Sequence, residues 1–435
     1  MTLPGKLKLV IVFIVLSFSV MFIDGIFFDN YNTRPSMAMM HMQVRPTLYP
    51  EPSAPSLKEY FAKWKYFPDK PSNPDIPMAP ETVMDGRVPV KVFHINMQNV
   101  LHEIRPGVRV PMFSFNSQIP APTIRVREGD RVRVYFYNNG TEPHTIHWHG
   151  INEMTSENDG VPDINQEWVL PGETYVYNFT AGPSGSKMFH CHVEAPHHIS
   201  MGMFGALIVD PQDGPNDGSP FGAADQDKVY IFTEFDSRHA HTPLPAEMMA
   251  MGPDGPYPWL LPSPKMLMPF DPDFNEFLLN GKSAPWVPPL VVEDGDVVRL
   301  RLINLGMEMH SLHIHGHSFI VTHRDGFKLT SPYEVDTLLI GPGERYDVWF
   351  KAENPGLWVI HDHAGRNMVA DGFDPAGIMT VLQYKDYSTE AYEKFLERVR
   401  VYERDIRHVD ESHGMLTPSG GGGMDMSAGM DGMGH

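Results

Sequence analysis

The sequence predicts an all-β protein whose core is two β-sandwich domains. Three observations carry that prediction. The 435 residues include 41 prolines and 37 glycines, a density of turn formers that suits many short strands rather than long helices. Runs such as RVRVYFY (131–137) and VVRLRLI (297–303) alternate polar and apolar residues, the period of a strand with one buried face. A long internal repeat then sets the domain count at two.

From the N-terminus, Lys6 and Lys8 precede an apolar run over residues 9–23. That layout is expected of an export signal, and because the run resumes after Asp24 an uncleaved membrane anchor is equally open over residues 1–28. Either places the rest outside the cytoplasm, in the periplasm or at the cell surface. Residues 29–85 form a Met- and Pro-rich extension that includes MAMMHM (37–42). The first sandwich is expected over 86–212 and the second over 227–384, the latter interrupted by a Pro/Met-rich insertion near 236–271. Residues 385–435 hold a helix, with Tyr392, Phe395, Leu396, Val399 and Tyr402 at helical spacing, and a Gly/Met tail. A formal charge of −20 argues against nucleic acid as a partner.

The repeat aligns REGDRVRVYFYNNGTEPHTIHWHG (127–150) with EDGDVVRLRLINLGMEMHSLHIHG (293–316), and PGETYVYNF (171–179) with PGERYDVWF (342–350). His144, His147 and His149 thereby map onto His310, His313 and His315, and His190 and His192 onto His361 and His363. Residues i and i+2 of a strand share a face, so each His-x-His pair can aim two imidazoles at one place. Eight imidazoles are too many to be satisfied core groups, and they point to metal. Outside these clusters, His94, His102, His239, His241 and His323 are read as structural or surface residues.

The copies differ at one informative position. Cys191, the only cysteine, lies between His190 and His192, and its counterpart is Asp362. A single cysteine makes no internal disulfide. Cys with His and a nearby Met is a soft donor set suited to a copper electron-transfer centre. Only the first copy can build it; His310 is then a leftover of the same arrangement or a group supporting its neighbours.

The stretches HTIHWHG, FHCHVEAPHHISMGM, HSLHIHGHSF and WVIHDHAG, with IPAPTIRVREGD and IGPGERYDV beside them, resemble the four copper motifs of the multicopper oxidases, over roughly residues 90–384. With type 1 copper placed in the first domain, the chain is similar to the two-domain, laccase-like members. The resemblance implies two cupredoxin-like Greek-key sandwiches, assembled as a homotrimer. It implies four coppers per active unit: type 1 on His144, Cys191, His198 and axial Met203, type 2 on His147 and His313, and a type 3 pair on His149, His190, His192, His315, His361 and His363. His198 is preferred to His197 because five residues separate it from Met203, the usual step in cupredoxins. Asp159 and Glu194 resemble the family's proton-relay carboxylates. O2 would be the acceptor, and a phenol, an aromatic amine or Cu(I) the donor; Cu(I) is suggested by the Met clusters, since thioethers favour it. A copper nitrite reductase is the nearest alternative, but it leaves several imidazoles surplus. A copper-sequestering protein is the alternative from another class.

Overall fold

The computed structural model describes residues 67–105, 108–140, 142–214, 218–236, 274–370 and 375–399. The expected export or anchor segment, the Met-rich runs at 37–42, 247–251 and 265–268, the Gly/Met tail, His239 and His241 lie outside the described residues. Among the described residues no helix is long and apolar enough to cross a membrane.

Strands dominate, and they form two pairs of sheets. In the first sandwich a seven-stranded sheet runs in the order Phe67–Pro68, Val88–Arg105, Arg131–Asn138, Thr174–Thr180, Glu153–Met154, with Glu81–Asp85 and Val108–Phe115 also paired to Val88–Arg105. This sheet begins upstream of residue 86, because Glu81–Asp85 hairpins onto Val88–Arg105 through a turn at Gly86. The opposing four-stranded sheet is ordered Ile124–Arg127, Phe204–Asp210, Gly185–His190, His147–His149. Phe93, Phe136 and Tyr177 from one sheet and Trp148, Phe189 and Leu207 from the other meet in a single buried core.

The second sandwich repeats the plan. Its six-stranded sheet is ordered Glu276–Leu279, Gln226–Phe235, Val297–Asn304, Arg345–Lys351, Phe319–Arg324, Phe327–Val335. Its five-stranded sheet runs Leu290–Val292, Met379–Tyr384, Leu357–Asp362, His310–Ile314, Thr337–Ile340. The repeat extends to single hydrogen bonds. Asn138 Nδ2 donates to the Glu142 and Val169 carbonyls, and Asn304 Nδ2 to those of Glu308 and Ile340. Both turns close on a Gly N–H, Gly140 to Asn138 Oδ1 and Gly306 to Asn304 Oδ1.

The alternation expected of both strands holds in only one. Arg131–Asn138 alternates between buried and more exposed residues, whereas Val297–Asn304 is buried throughout. The physical reason is an ion cluster where the sandwiches meet. Asp227 accepts from Arg299 and Arg301, and Arg125 of the first sandwich bonds both Asp210 and Asp227. Arg301 also donates to Ser186 Oγ at 2.8 Å, and Ser186 in turn donates to Asp347. Elsewhere Arg105 pairs with Glu276 at 2.9 Å, and buried His102 bridges Asp69 and the Gly281 carbonyl. After Tyr384, residues 390–399 are helical, with Tyr392, Phe395, Leu396 and Val399 half-buried along one stripe.

Candidate metal centres

Three groups of ligand-type side chains assemble, and strand geometry explains each. The strand His147–His149 lies antiparallel to Gly185–His190, with His147 opposite His190. Alternation turns Trp148 into the core and leaves His147 and His149 on the other face. The second sandwich copies this, with His313 opposite His361 across His310–Ile314 and Leu357–Asp362.

The first group is wholly buried and lies at the end of that pairing. Cys191 Sγ is 3.6 Å from His144 Nδ1 and 3.3 Å from His198 Nδ1, and the two Nδ1 atoms are 3.2 Å apart. His198 comes from the short helix Ala195–Ser200, which starts at Glu194 in a left-handed conformation, φ 43°. That turn folds the chain back, so that Met203 N–H bonds the His198 carbonyl and Cys191 N–H the Met203 carbonyl. Met203 is fully buried in the core beside this group. His198, rather than His197, therefore brings a ring nitrogen to the thiol. Burial holds His144 well below the ordinary histidine pKa, helped by repulsion from His198 and His197. Burial also opposes charge on His198, but the Cys191 thiol and Glu142 outweigh it and raise the group to about 10 in the metal-free chain.

Two imidazole groups make up the rest. In the first, His149 Nε2 and His190 Nε2 are 2.9 Å apart, and the His147 ring packs on His149, His190 and His192 at centroid distances of 4.8, 5.4 and 5.1 Å. In the second, His315 Nε2 and His361 Nε2 are 3.1 Å apart, with His313 and His363 completing the set. The outer nitrogens are held alike. His147 Nδ1 donates to the Asp159 carbonyl and His313 Nδ1 to that of Asp336, each at 2.7 Å. His190 Nδ1 and His361 Nδ1 donate to the carbonyls of the residues that follow them. These bonds fix the tautomers so that the Nε2 lone pairs converge. Burial and neighbouring imidazoles hold His149 at about 2 and His190 at about 3. Both are thus neutral, as a metal ligand must be. Converging imidazole nitrogens in two sets and a thiol flanked by two Nδ1 atoms are a donor chemistry that fits copper.

Among the described residues these are separate clusters: His147, His149 and His190 on one sandwich, and His313, His315 and His361 on the other, bring ring nitrogens within 4.8 Å of one another, while the rings of His192 and His363 lie beside them outside those groups. Asp159 sits beside His147, Oδ1 at 3.3 Å from Nδ1, and its other oxygen accepts from Asn165 at 2.9 Å. The backbone turn after it is tight: at Gly160, φ 86°, a Cβ would lie 1.9 Å from the Ile146 carbonyl oxygen.

Two buried carboxylates at these sites escaped the sequence reading. Glu142 Oε2 is 3.1 Å from His198 Nε2, and both side chains are 1% exposed. Glu234 bonds His310 Nε2 at 2.6 Å, while Asp362 holds His310 Nδ1 at 2.7 Å. In the second sandwich a charged triad thus occupies the place that His144 and Cys191 hold in the first. The repeat offered a signal for one of them, since a glutamate stands two residues before the first histidine in both copies, Glu142 and Glu308.

Paired cupredoxin-like sandwiches bearing a Cys/His centre and two sets of four imidazoles define a copper protein class, and comparison with known proteins names it. Family models described as multicopper oxidase match residues 96–214 and 258–373. A blue copper oxidase of Nitrosomonas europaea is 38% identical, the match covering 68% of this chain and 86% of that one, with a TM-score of 0.60. The multicopper oxidase mgLAC is 36% identical over 68% of this chain and 91% of its own, TM-score 0.59. Laccase-8 of Oryza sativa subsp. japonica is 28% identical, covering 63% of this chain and 48% of the relative. An L-ascorbate oxidase of Nicotiana tabacum is 28% identical over 67% and 51%. The chain belongs to the multicopper oxidase family, and membership implies type 1, type 2 and type 3 copper. It spans about half the length of the curated relatives it matches.

Proposed function

We propose that the protein is a laccase-like multicopper oxidase that takes single electrons from a donor and passes them to O2. The observation that carries this reading is the placement of Cys191. Its side chain belongs to the buried thiol centre, while its covalent neighbours His190 and His192 belong to the imidazole set. When bound, copper would supply one-electron oxidation at the thiol centre and four-electron reduction of O2 to water at the imidazole centre.

In this reading His144, Cys191, His198 and Met203 hold type 1 copper, His147 and His313 type 2, and His149, His190, His192, His315, His361 and His363 the type 3 pair. The protein's own part is to keep the thiol centre dry, to hold His149 and His190 neutral and to join the two centres through one residue. The hydrogen bond from His190 Nδ1 to the Cys191 carbonyl, 2.8 Å, ties that junction together. Asp159 is positioned to pass protons, being partly exposed and 3.3 Å from His147. Glu194, at the turn beyond His192, is its proposed companion. Four imidazoles per sandwich make half of a site with eight, so each set needs the other sandwich's set. Adjacent chains of a homotrimer would supply it, in the periplasm or at the cell surface.

Oxygen uptake by copper-loaded protein, followed with its visible spectrum, tests the reaction. A blue thiolate band and one O2 consumed per four electrons are expected, and the faster of Cu(I) and a simple phenol would define the donor class. A blue band with nitrite turnover and no oxygen uptake would overturn the reading. Mixing tests the assembly: a chain lacking His147 and His149 and a chain lacking His361 and His363 are each expected to be inactive, and active once assembled together. Failure of the mixed assembly to gain activity would count against a site shared between chains.

A further inference from the structure

We infer that Glu142 is a positioning residue for the Cys191 centre, which fixes the tautomer and ring orientation of His198. The inference rests on the type 1 assignment above and adds a residue outside the ligand set.

Glu142 is enclosed, 1% exposed, in a chain segment held by the hydrogen bond from Asn138 Nδ2 to the Glu142 carbonyl. Its Oε2 lies 3.1 Å from His198 Nε2, on the side of the ring away from Cys191. An Nε2–H donated to that oxygen leaves Nδ1 as the lone pair facing the thiol. A ligand imidazole held in this way by a carboxylate is both oriented and made more basic.

The repeat supplies an internal comparison. Glu308 occupies the matching position, and Asn304 holds its carbonyl at 2.8 Å in the same way. Its side chain, however, is 39% exposed and pairs with Arg366 at 3.3 Å. The glutamate turns inward only in the copy that has the thiol.

The test is a copper titration of the full chain followed by the visible thiolate band. Glu142→Leu removes the acceptor for Nε2–H, and copper affinity at this centre is expected to fall about 10–100-fold. Glu142→Gln keeps an acceptor, so the band and the affinity are expected to persist, and Glu308→Gln should match the parent. Unchanged affinity in Glu142→Leu would overturn the inference, as would a loss in Glu142→Gln equal to that in Glu142→Leu. Absence of a thiolate band in the parent chain would instead remove the type 1 reading on which the inference rests.

Discussion

Cys191 and His198 carry the sharpest expectations at the level of single residues. Cys191→Ser should abolish the visible thiolate band while copper bound by the two imidazole sets is retained, as metal content would report. His198→Ala should lose the same band, and His197→Ala should keep it, because only His198 brings Nδ1 within 3.3 Å of Sγ. His310, at the position that matches His144, is held between Asp362 and Glu234. Burial works against its protonation, but Asp362 and Glu234 hold it at about 9, above the ordinary 6.5. A raised value in the fold means stability that is complete below pH 6.5 and lost as pH climbs through 9. We expect the unfolding free energy of the metal-free protein to exceed that of His310→Gln at pH 6 by on the order of 3 kcal/mol, a margin that shrinks toward pH 9. A margin independent of pH would show that the triad is not ionised. Cys191 was legible in the sequence because it broke a repeat. Glu142 and Glu234 were less so, since whether a glutamate turns inward depends on side-chain direction.

Among the elements, the strand Gly185–His190 joins core and site. Phe189 is fully buried, 5.4 Å from Trp148 and 5.8 Å from Phe115 in ring centroids, and lies between Met188 and the ligand-type His190. Phe189→Ala should cost about 3–5 kcal/mol in denaturant unfolding of the metal-free protein. Copper retention by the His149/His190 set should suffer with it, because the strand that aims His190 loses its packing. A cost well below that range would mean the core can collapse around the gap. The His-x-His spacing anticipated the strand at His147–His149, but Gly185–His190 ends before Cys191, so His192 does not share its face with His190 through strand alternation. Alternation misjudged Val297–Asn304, where Arg299 and Arg301 are 3% and 2% exposed because partners come from other elements.

At the scale of the molecule, the contact between sandwiches is built on charge as well as on apolar packing. Asp227 faces Arg299, Arg301 and, across the contact, Arg125. Its own burial would raise its pKa, but the guanidinium groups reverse that and hold it well below the usual carboxylate range. Asp227→Leu would leave buried guanidinium charge uncompensated, a change that typically costs about 3–5 kcal/mol. A lower midpoint in urea for the full chain is the expected result, and an unchanged midpoint would mean that Asp210 and Asp347 suffice. The glycines close the same contact: a Cβ at Gly185, φ 127°, would meet the Gly326 carbonyl oxygen at 2.1 Å.

The sequence by itself determined the repeat, the two β-sandwiches and the residue types of the metal centres, because strand period and ligand chemistry are local properties. Even the single break in the repeat, Cys191 against Asp362, could be read along the chain. Only the tertiary structure decided which histidine of His197 and His198 faces the thiol, which glutamates turn inward, and that Arg299 and Arg301 are buried. Those outcomes depend on groups distant in sequence: Glu142 is 56 residues from His198, and Glu234 is 76 from His310. Burial and charge pairing are properties of the assembled surroundings, and no window of sequence contains them.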